Sequence, residues 1–221
     1  MTKESTELKN RMKAVFRNRG IRIGAKVYDP RHREELIKQL PLPAQRTRVL
    51  RLAEVLDVVT EKRVEARADL VKAARQNSMY KSLITIPQLG DIWAATVIAE
   101  VGTPHRFRSR KQFWSYAGLA VRTFETSQYY ADNYGQVHKK PRAAKTRGLV
   151  REFNTSLKCM FKHMAVTLGR TDWKFEFDRL KRQGVIAANA RLTLARKAAA
   201  ITLRIMKTGE MYDESLVFPR K

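Results

Sequence analysis

The sequence predicts a mainly α-helical protein: long connecting, coiled-coil-like helices, then a compact helical domain containing a helix-hairpin-helix element. Three observations carry that prediction. Residues 44–77 place apolar side chains at alternating spacings of three and four, through Val49, Leu52, Leu56, Val59, Ala66, Leu70 and Ala73, with Arg63 interrupting the seam. Residues 83–102 read as a helix end, a tight turn and a second helix. Further on, residues 150–168 and 192–206 carry apolar stripes at helical spacing.

The elements follow in order, with connecting helices over 1–78 and the compact domain over 79–221. Residues 7–19 form an amphipathic helix, with Leu8, Met12, Val15 and Phe16 on one side and Gly20 ending it. Asp29 at the N-cap and Pro30 at the first helical position start a second helix that runs to Leu40. Pro41 and Pro43 then break the chain. The helix over 44–77 would extend roughly 50 Å at 1.5 Å per residue. Its seam needs a partner, either another chain or the first helices folded back. In the hairpin, Gly90 permits the backbone turn, and Ala94, Ala95, Val97, Ile98 and Val101 supply the apolar positions of its second helix, the alanines letting helices approach closely. Ser109 caps the next helix, which Gly118 ends. Residues 121–147 lack periodicity and read as loops with room for a short hairpin. Two amphipathic helices complete the domain, the second stopped by Gly209.

Charge narrows the function. The 221 residues hold 45 Lys and Arg against 21 Asp and Glu, a net charge of +24 that attracts polyanions, above all DNA or RNA. An anionic membrane surface is the rival partner. Against it, no apolar run reaches spanning length and Met1-Thr2-Lys3-Glu4-Ser5 is no signal peptide, so a cytoplasmic protein with no membrane partner is expected. The single cysteine, Cys159, excludes an internal disulfide and reads as core packing. His32, His105, His138 and His163 are scattered, against a structural zinc site. Asp91, Glu100, Asp132, Asp172 and Asp178 read as caps or surface charges rather than a metal cluster, so no cofactor is expected in this chain.

The charge concentrates after the hairpin, where residues 104–170 hold 14 Lys and Arg against 3 Asp and Glu. Tyr116, Phe124, Tyr129, Tyr130 and Tyr134 are interleaved there, and such rings stack on bases while the cations pair with phosphates. The alternative is a solvated surface with tyrosines packed beneath. Candidate nucleic-acid contacts are Gln88 and Gly90 in the hairpin, whose helix N-terminus offers amides to phosphate oxygens. Arg106, Arg108, Arg110 and Lys111 follow, then Arg122, Lys139, Lys140, Arg142, Lys145, Arg147 and Arg151. The Thr126-Ser127 pair puts a hydroxyl among these cations, although a serine needs a base or electrostatic help and no histidine neighbours it.

Residues 83–118 resemble the C-terminal domain of the DEDD-type, RuvC-like insertion-sequence transposases that also carry a catalytic serine. The resemblance rests on Ile84-Thr85-Ile86-Pro87-Gln88-Leu89-Gly90, Ala94-Ala95 and Ala99-Glu100-Val101-Gly102. It continues in Arg106-Phe107-Arg108-Ser109 and Tyr116-Ala117-Gly118-Leu119. Ala190, Ala195-Arg196-Lys197, Lys207, Gly209-Glu210 and Tyr212 resemble that family's final helix and tail, and Leu8-Lys9-Asn10-Arg11 its connecting helices. The resemblance implies a mobile-element enzyme of DNA recombination. In it Ser127, with Thr126 as runner-up, attacks a DNA phosphodiester and forms a phosphoserine link. It also implies a homo-oligomer working with a structured guide (bridge) RNA in the bacterial or archaeal nucleoid. Gln88 stands where the family has its first hairpin glycine, and Gln128 follows the serine where glycine is usual. The divalent metal, magnesium, is expected only with the family's N-terminal carboxylate domain, and this chain is expected to start after it. Without that domain, the alternative is a non-catalytic remnant or a regulator of a full-length transposase.

Overall fold

The protein is mainly helical, as the apolar spacing predicts. The computed structural model describes residues 2–124, 129–139 and 145–216. By contacts the chain divides into two units, Met1–Leu70 and Val71–Lys221.

The first unit is built from α1 (Thr2–Arg17), α2 (Pro30–Ile37) and most of α3 (Pro43–Arg75). Asp29 caps α2, its side chain accepting the Arg31 N–H at 3.1 Å, with Pro30 in the first turn. Met12 and Phe16 of α1 are fully buried against Val27, Leu40 and the α3 residues Val49 and Leu56. The first helices thus cover the early part of the α3 seam. Val49 and Leu56 are buried and Leu52 and Val59 partly so, whereas Ala66, Leu70 and Ala73 are exposed. Buried Arg33 makes two bonds to Asp57, of 2.6 and 2.7 Å, which offset the loss of water around its guanidinium.

The second unit centres on its longest helix. Its elements are α4 (Met79–Leu83), α5 (Asp91–Val101), α6 (Arg110–Tyr116), the strands β1 (Val121–Phe124), β2 (Tyr129–Ala131), β3 (Val137–Lys139) and β4 (Lys145–Leu149), then α7 (Thr155–Leu168), α8 (Lys174–Arg182) and α9 (Ala187–Thr208). Ala190, Ala195, Ala198 and Ala199 of α9 are buried, and such short side chains let α6 and α7 come close. Leu157, Met160, Phe161 and Met164 fill the α7 side, and Phe113 of α6 meets Phe107 and Phe161 edge-on. Each such fully buried side chain contributes about 1.5–3 kcal/mol. Gly209, left-handed at φ 73°, closes α9 with its N–H on the Ile205 carbonyl.

Where the segment expected to be loops with a short hairpin is described, it forms strands. β1 pairs antiparallel with β4, and β2 with β3, so one ribbon is nested in the other along the chain. A register shift between Val121 and Thr123 falls opposite Gly148, whose φ of 67° suits a bulge. At the ribbon's root a Cβ on Gly118 would lie 2.7 Å from the Phe153 ring, so glycine is required there.

Two expectations need correction. Cys159 lies on the exposed face of α7, not in the core. And α8 was not expected: an exposed Phe175 and a buried Glu176 interrupt an apolar face that Phe177 and Leu180 otherwise make. That carboxylate takes two bonds from Arg179, both 2.8 Å, and one from Lys197 at 2.9 Å.

Those bonds make a pH signature. The Arg179 bonds pull the Glu176 carboxyl down; burial opposes them, and Lys197 adds to them, leaving it at about 2 against 4.5 without the fold. A lowered acid contributes stability above pH 4.5 and loses it as pH falls toward 2. We predict that Glu176→Gln lowers stability at neutral pH by about 1–3 kcal/mol and flattens the loss between pH 4.5 and 2. Urea unfolding at several pH values measures both, and an acid sensitivity equal to the parent's would refute the assignment.

Candidate nucleic-acid interface

A groove of about 730 Å3 runs between the start of α6 and one face of α9. Among the described residues six cations line it, Arg108 and Arg110 from one side and Arg196, Lys197, Arg204 and Lys207 from α9, and no carboxylate does. Trp114, Ala200, Ile201 and Leu203 provide its apolar surface. Helical geometry explains the α9 wall: positions 193, 196, 197, 200, 204 and 207 recur every three or four residues and share a face. On the α6 side Ser109 caps the helix, accepting the Gln112 N–H, which fixes the chain between Arg108 and Arg110.

The walls are bolted together by groups that cross between elements. The Trp114 indole N–H donates to the Arg196 carbonyl at 2.9 Å, and Arg196 Nε donates to the Leu119 carbonyl at 2.8 Å. Burial alone pulls the Arg196 pKa down from its ordinary value, leaving a guanidinium that still carries its charge. Arg110 and Arg196 both lie over the Trp114 ring, at 5.6 and 6.0 Å. Lys207 donates to the Phe107 carbonyl at 2.6 Å. Lys197 is held by Glu176, and Arg204 reaches Glu210 at 3.4 Å in an exposed pair worth little. The guanidiniums of Arg108 and Arg110 have no carboxylate partner among the described residues.

The hairpin differs from its expected chemistry. Gly90 is extended at φ −72°, and Gln88 instead takes the left-handed turn at φ 65°. Glycine was expected to permit the turn, but a longer side chain occupies that backbone and earns a bond: Gln88 Nε2 donates to Asp172 at 3.2 Å. Burial pushes the Asp172 carboxyl up, yet bonds from Thr171 and Gln88 outweigh it and hold it below the ordinary range. Asp91, in the first turn of α5, accepts the Tyr80 hydroxyl at 2.7 Å and lies 3.6 Å from Arg75. Two carboxylates therefore border this turn, which weakens its pull on phosphate, although a Cβ on Gly90 would meet open space. The turn itself is firmly held, by Ser82 donating to the Gly209 carbonyl and Thr85 accepting the Tyr212 N–H.

The other expected contacts scatter. Arg106 is spent on the fold: it donates to the Glu100 carbonyl and lies over the Phe107 and Tyr116 rings at 4.6 and 4.7 Å. Lys111 and Arg151 are exposed but outside the groove lining, and Arg122 is exposed on β1. Lys139, Lys145 and Arg147 are placed by their backbone on β3 and β4. Thr126, Ser127, Lys140 and Arg142 lie outside the described residues. Of the cations expected as contacts, Arg108 and Arg110 are brought together, and the four α9 cations facing them were missed. Their spacing was visible; the partner across the groove, some ninety positions earlier, was not.

Among the described residues no group of three or more His, Cys, Asp or Glu side chains could hold a metal ion. Asp91, Glu100, Asp132 and Asp172 are each engaged by nearby donors. No described helix is long and apolar enough to cross a membrane.

No curated protein matches the chain. Residues 80–146 do match a family model, that of the transposase IS116/IS110/IS902 family. The matched span, under a third of the chain, runs from α4 into β4 and includes Thr126, Ser127 and the α6 side of the groove. That stretch of the chain is thus similar to transposases of insertion sequences.

Proposed function

We propose that the protein is the C-terminal part of an insertion-sequence transposase, which grips nucleic acid along the α6–α9 groove and, in the intact enzyme, cuts and rejoins DNA through Ser127. The groove carries this reading: six cations, no lining carboxylate, and a wall within the transposase-like span. Phosphates fit it because each arginine offers a planar fork of donors, and Arg108 and Arg110 have no carboxylate partner among the described residues, whereas Lys197 and Arg204 are shared with Glu176 and Glu210. Backbone contacts of this kind position the strand without reading its sequence.

The reaction would be a transesterification. The Ser127 oxygen bonds to a phosphorus, the bond from that phosphorus to a sugar oxygen breaks, and the serine proton passes by way of a base to that sugar oxygen, which leaves as a hydroxyl. Attack by the sugar hydroxyl of another strand would reverse the exchange and release the serine. Thr126 is the second choice for the nucleophile. The described residues group no carboxylates to hold a divalent ion, so their part is to bind and orient the strand. The proposal extends to a homo-oligomer, a structured guide RNA, a nucleoid setting and no membrane partner; the hairpin at Gln88 and Gly90 is a secondary backbone contact. A second reading is a non-catalytic remnant that holds nucleic acid or regulates a full-length relative.

Two measurements test these readings. Arg108→Ala and Arg204→Ala should each weaken binding to unrelated duplexes alike and reduce the slope of log affinity against log salt by about 1. Parent affinity and slope in both variants would rule out the groove. With a carboxylate-bearing transposase domain supplied in trans, the parent should form a DNA adduct that survives denaturation and Ser127→Ala should form none. Absence of an adduct from the parent, or its persistence in Ser127→Ala, would leave the binding-only reading.

A further inference from the structure

The ribbon of β2 and β3 holds out aromatic rings that the groove does not explain. Its turn is built by one side chain. Asp132 Oδ1 accepts the N–H groups of Tyr134 and Gln136, both at 2.9 Å, while its other oxygen is 2.7 Å from His138 Nε2. The Asp132 N–H donates to the Gln136 carbonyl, and Gly135, at φ 76°, donates to the Asp132 carbonyl. Around this turn the large side chains face water: Tyr134 is 92% exposed, Val137 69%, Tyr129 64% and Tyr130 46%.

The register sorts them. Tyr130 sits opposite His138, with ring centroids 5.7 Å apart, and Tyr129 sits opposite Lys139. Neighbours along a strand point to opposite faces, so each face of the ribbon carries a tyrosine and Tyr134 occupies the tip. A two-stranded ribbon has no interior in which to bury them, and a tyrosine meant for packing would not stand 92% in water. Flat rings exposed on a strongly cationic chain fit the flat face of a nucleobase beside its phosphate. Inside a duplex those faces are covered by neighbouring bases. Unpaired nucleotides expose them.

We infer that the β2–β3 ribbon is a stacking arm that takes unpaired bases of DNA, with Tyr134 at its tip and Tyr129 and Tyr130 on its faces. The choice of DNA rests on the proposed function, because the chain passes from β1 through Ser127 directly into β2. The arm and the groove then divide the work: the groove holds backbone of any strand, and the arm favours strand that is opened.

The test titrates the full chain with an intact DNA duplex, the same duplex carrying a short gap with 2-aminopurine among its unpaired bases, and a version whose continuous strand, which carries the unpaired bases, is RNA. The parent should prefer the gapped DNA and change the 2-aminopurine emission on binding. Tyr134→Ala combined with Tyr129→Ala should reduce affinity for gapped DNA by about five-fold or more and leave the intact duplex unaffected. Tyr134→Phe, which keeps the ring, should behave as the parent. Circular dichroism of each variant should match the parent, since the altered side chains support no core. Duplex binding by the parent with no preference for the gap, or alanine variants that bind like the parent, would overturn the arm while leaving the proposed function intact. Equal losses on intact and gapped DNA would make the ribbon a groove contact and overturn stacking. A preference for the RNA version alone would overturn the choice of DNA. Failure of the parent to bind any of the three would overturn both the arm and the proposed function.

Discussion

Arg196 ties together three parts of the second unit, α9, α6 and the root of β1, that also share one apolar core. Its side-chain Nε–H reaches the Leu119 carbonyl, at the root of β1, while its own backbone carbonyl accepts the Trp114 indole N–H from α6. Taking a guanidinium out of water is unfavourable, and its lowered pKa reports that burial. The hydrogen bond to Leu119 and the ring of Trp114 beneath the charge compensate. Around this point the alanine face of α9 brings α6 and α7 close enough for the remaining contacts to form.

From that tie both functional features follow. Trp114 is at once a lining residue of the groove and a partner of Arg196, so the groove's wall and the ribbon's root share a support. Like charges crowded into a groove repel, by about 0.5 kcal/mol for a pair roughly 8 Å apart in water. Packing beneath them holds such a set open, and an anion entering it relieves the repulsion. Net charge describes the whole chain and predicts affinity for polyanions in general. The placement of six cations along one groove, of which Lys197 and Arg204 are paired with Glu176 and Glu210, says where an anion would lie.

Much of the fold was legible. Helical periodicity located the long helices, and Asp29, Ser109 and Gly209 mark helix ends as their chemistry requires. Three things were hidden. In α8 a buried Glu176 and an exposed Phe175 interrupt the apolar face, and the burial is tolerated because Arg179 of the same helix and Lys197 from α9 both bond the carboxylate. At the hairpin, a glycine was expected to bear the turn, but the left-handed position belongs to Gln88, which the Asp172 carboxylate holds from a distant segment. Of the groove, Arg108 and Arg110 were within reach of local reading because the charge run names them. The α9 wall was not, because its cations look like any solvated helix face until α6 is laid against them. Ser127 enters as a proposed nucleophile through resemblance alone, and it lies outside the described residues.

A bound strand is proposed to lie in the α6–α9 groove rather than on the turn between α4 and α5. Photo-crosslinking from a DNA duplex with reactive bases, followed by peptide mapping of the full chain, decides it most directly. Crosslinks concentrated in residues 108–114 and 193–208 are the predicted result. Crosslinks confined to residues 84–91, with none on either wall of the groove, would contradict it.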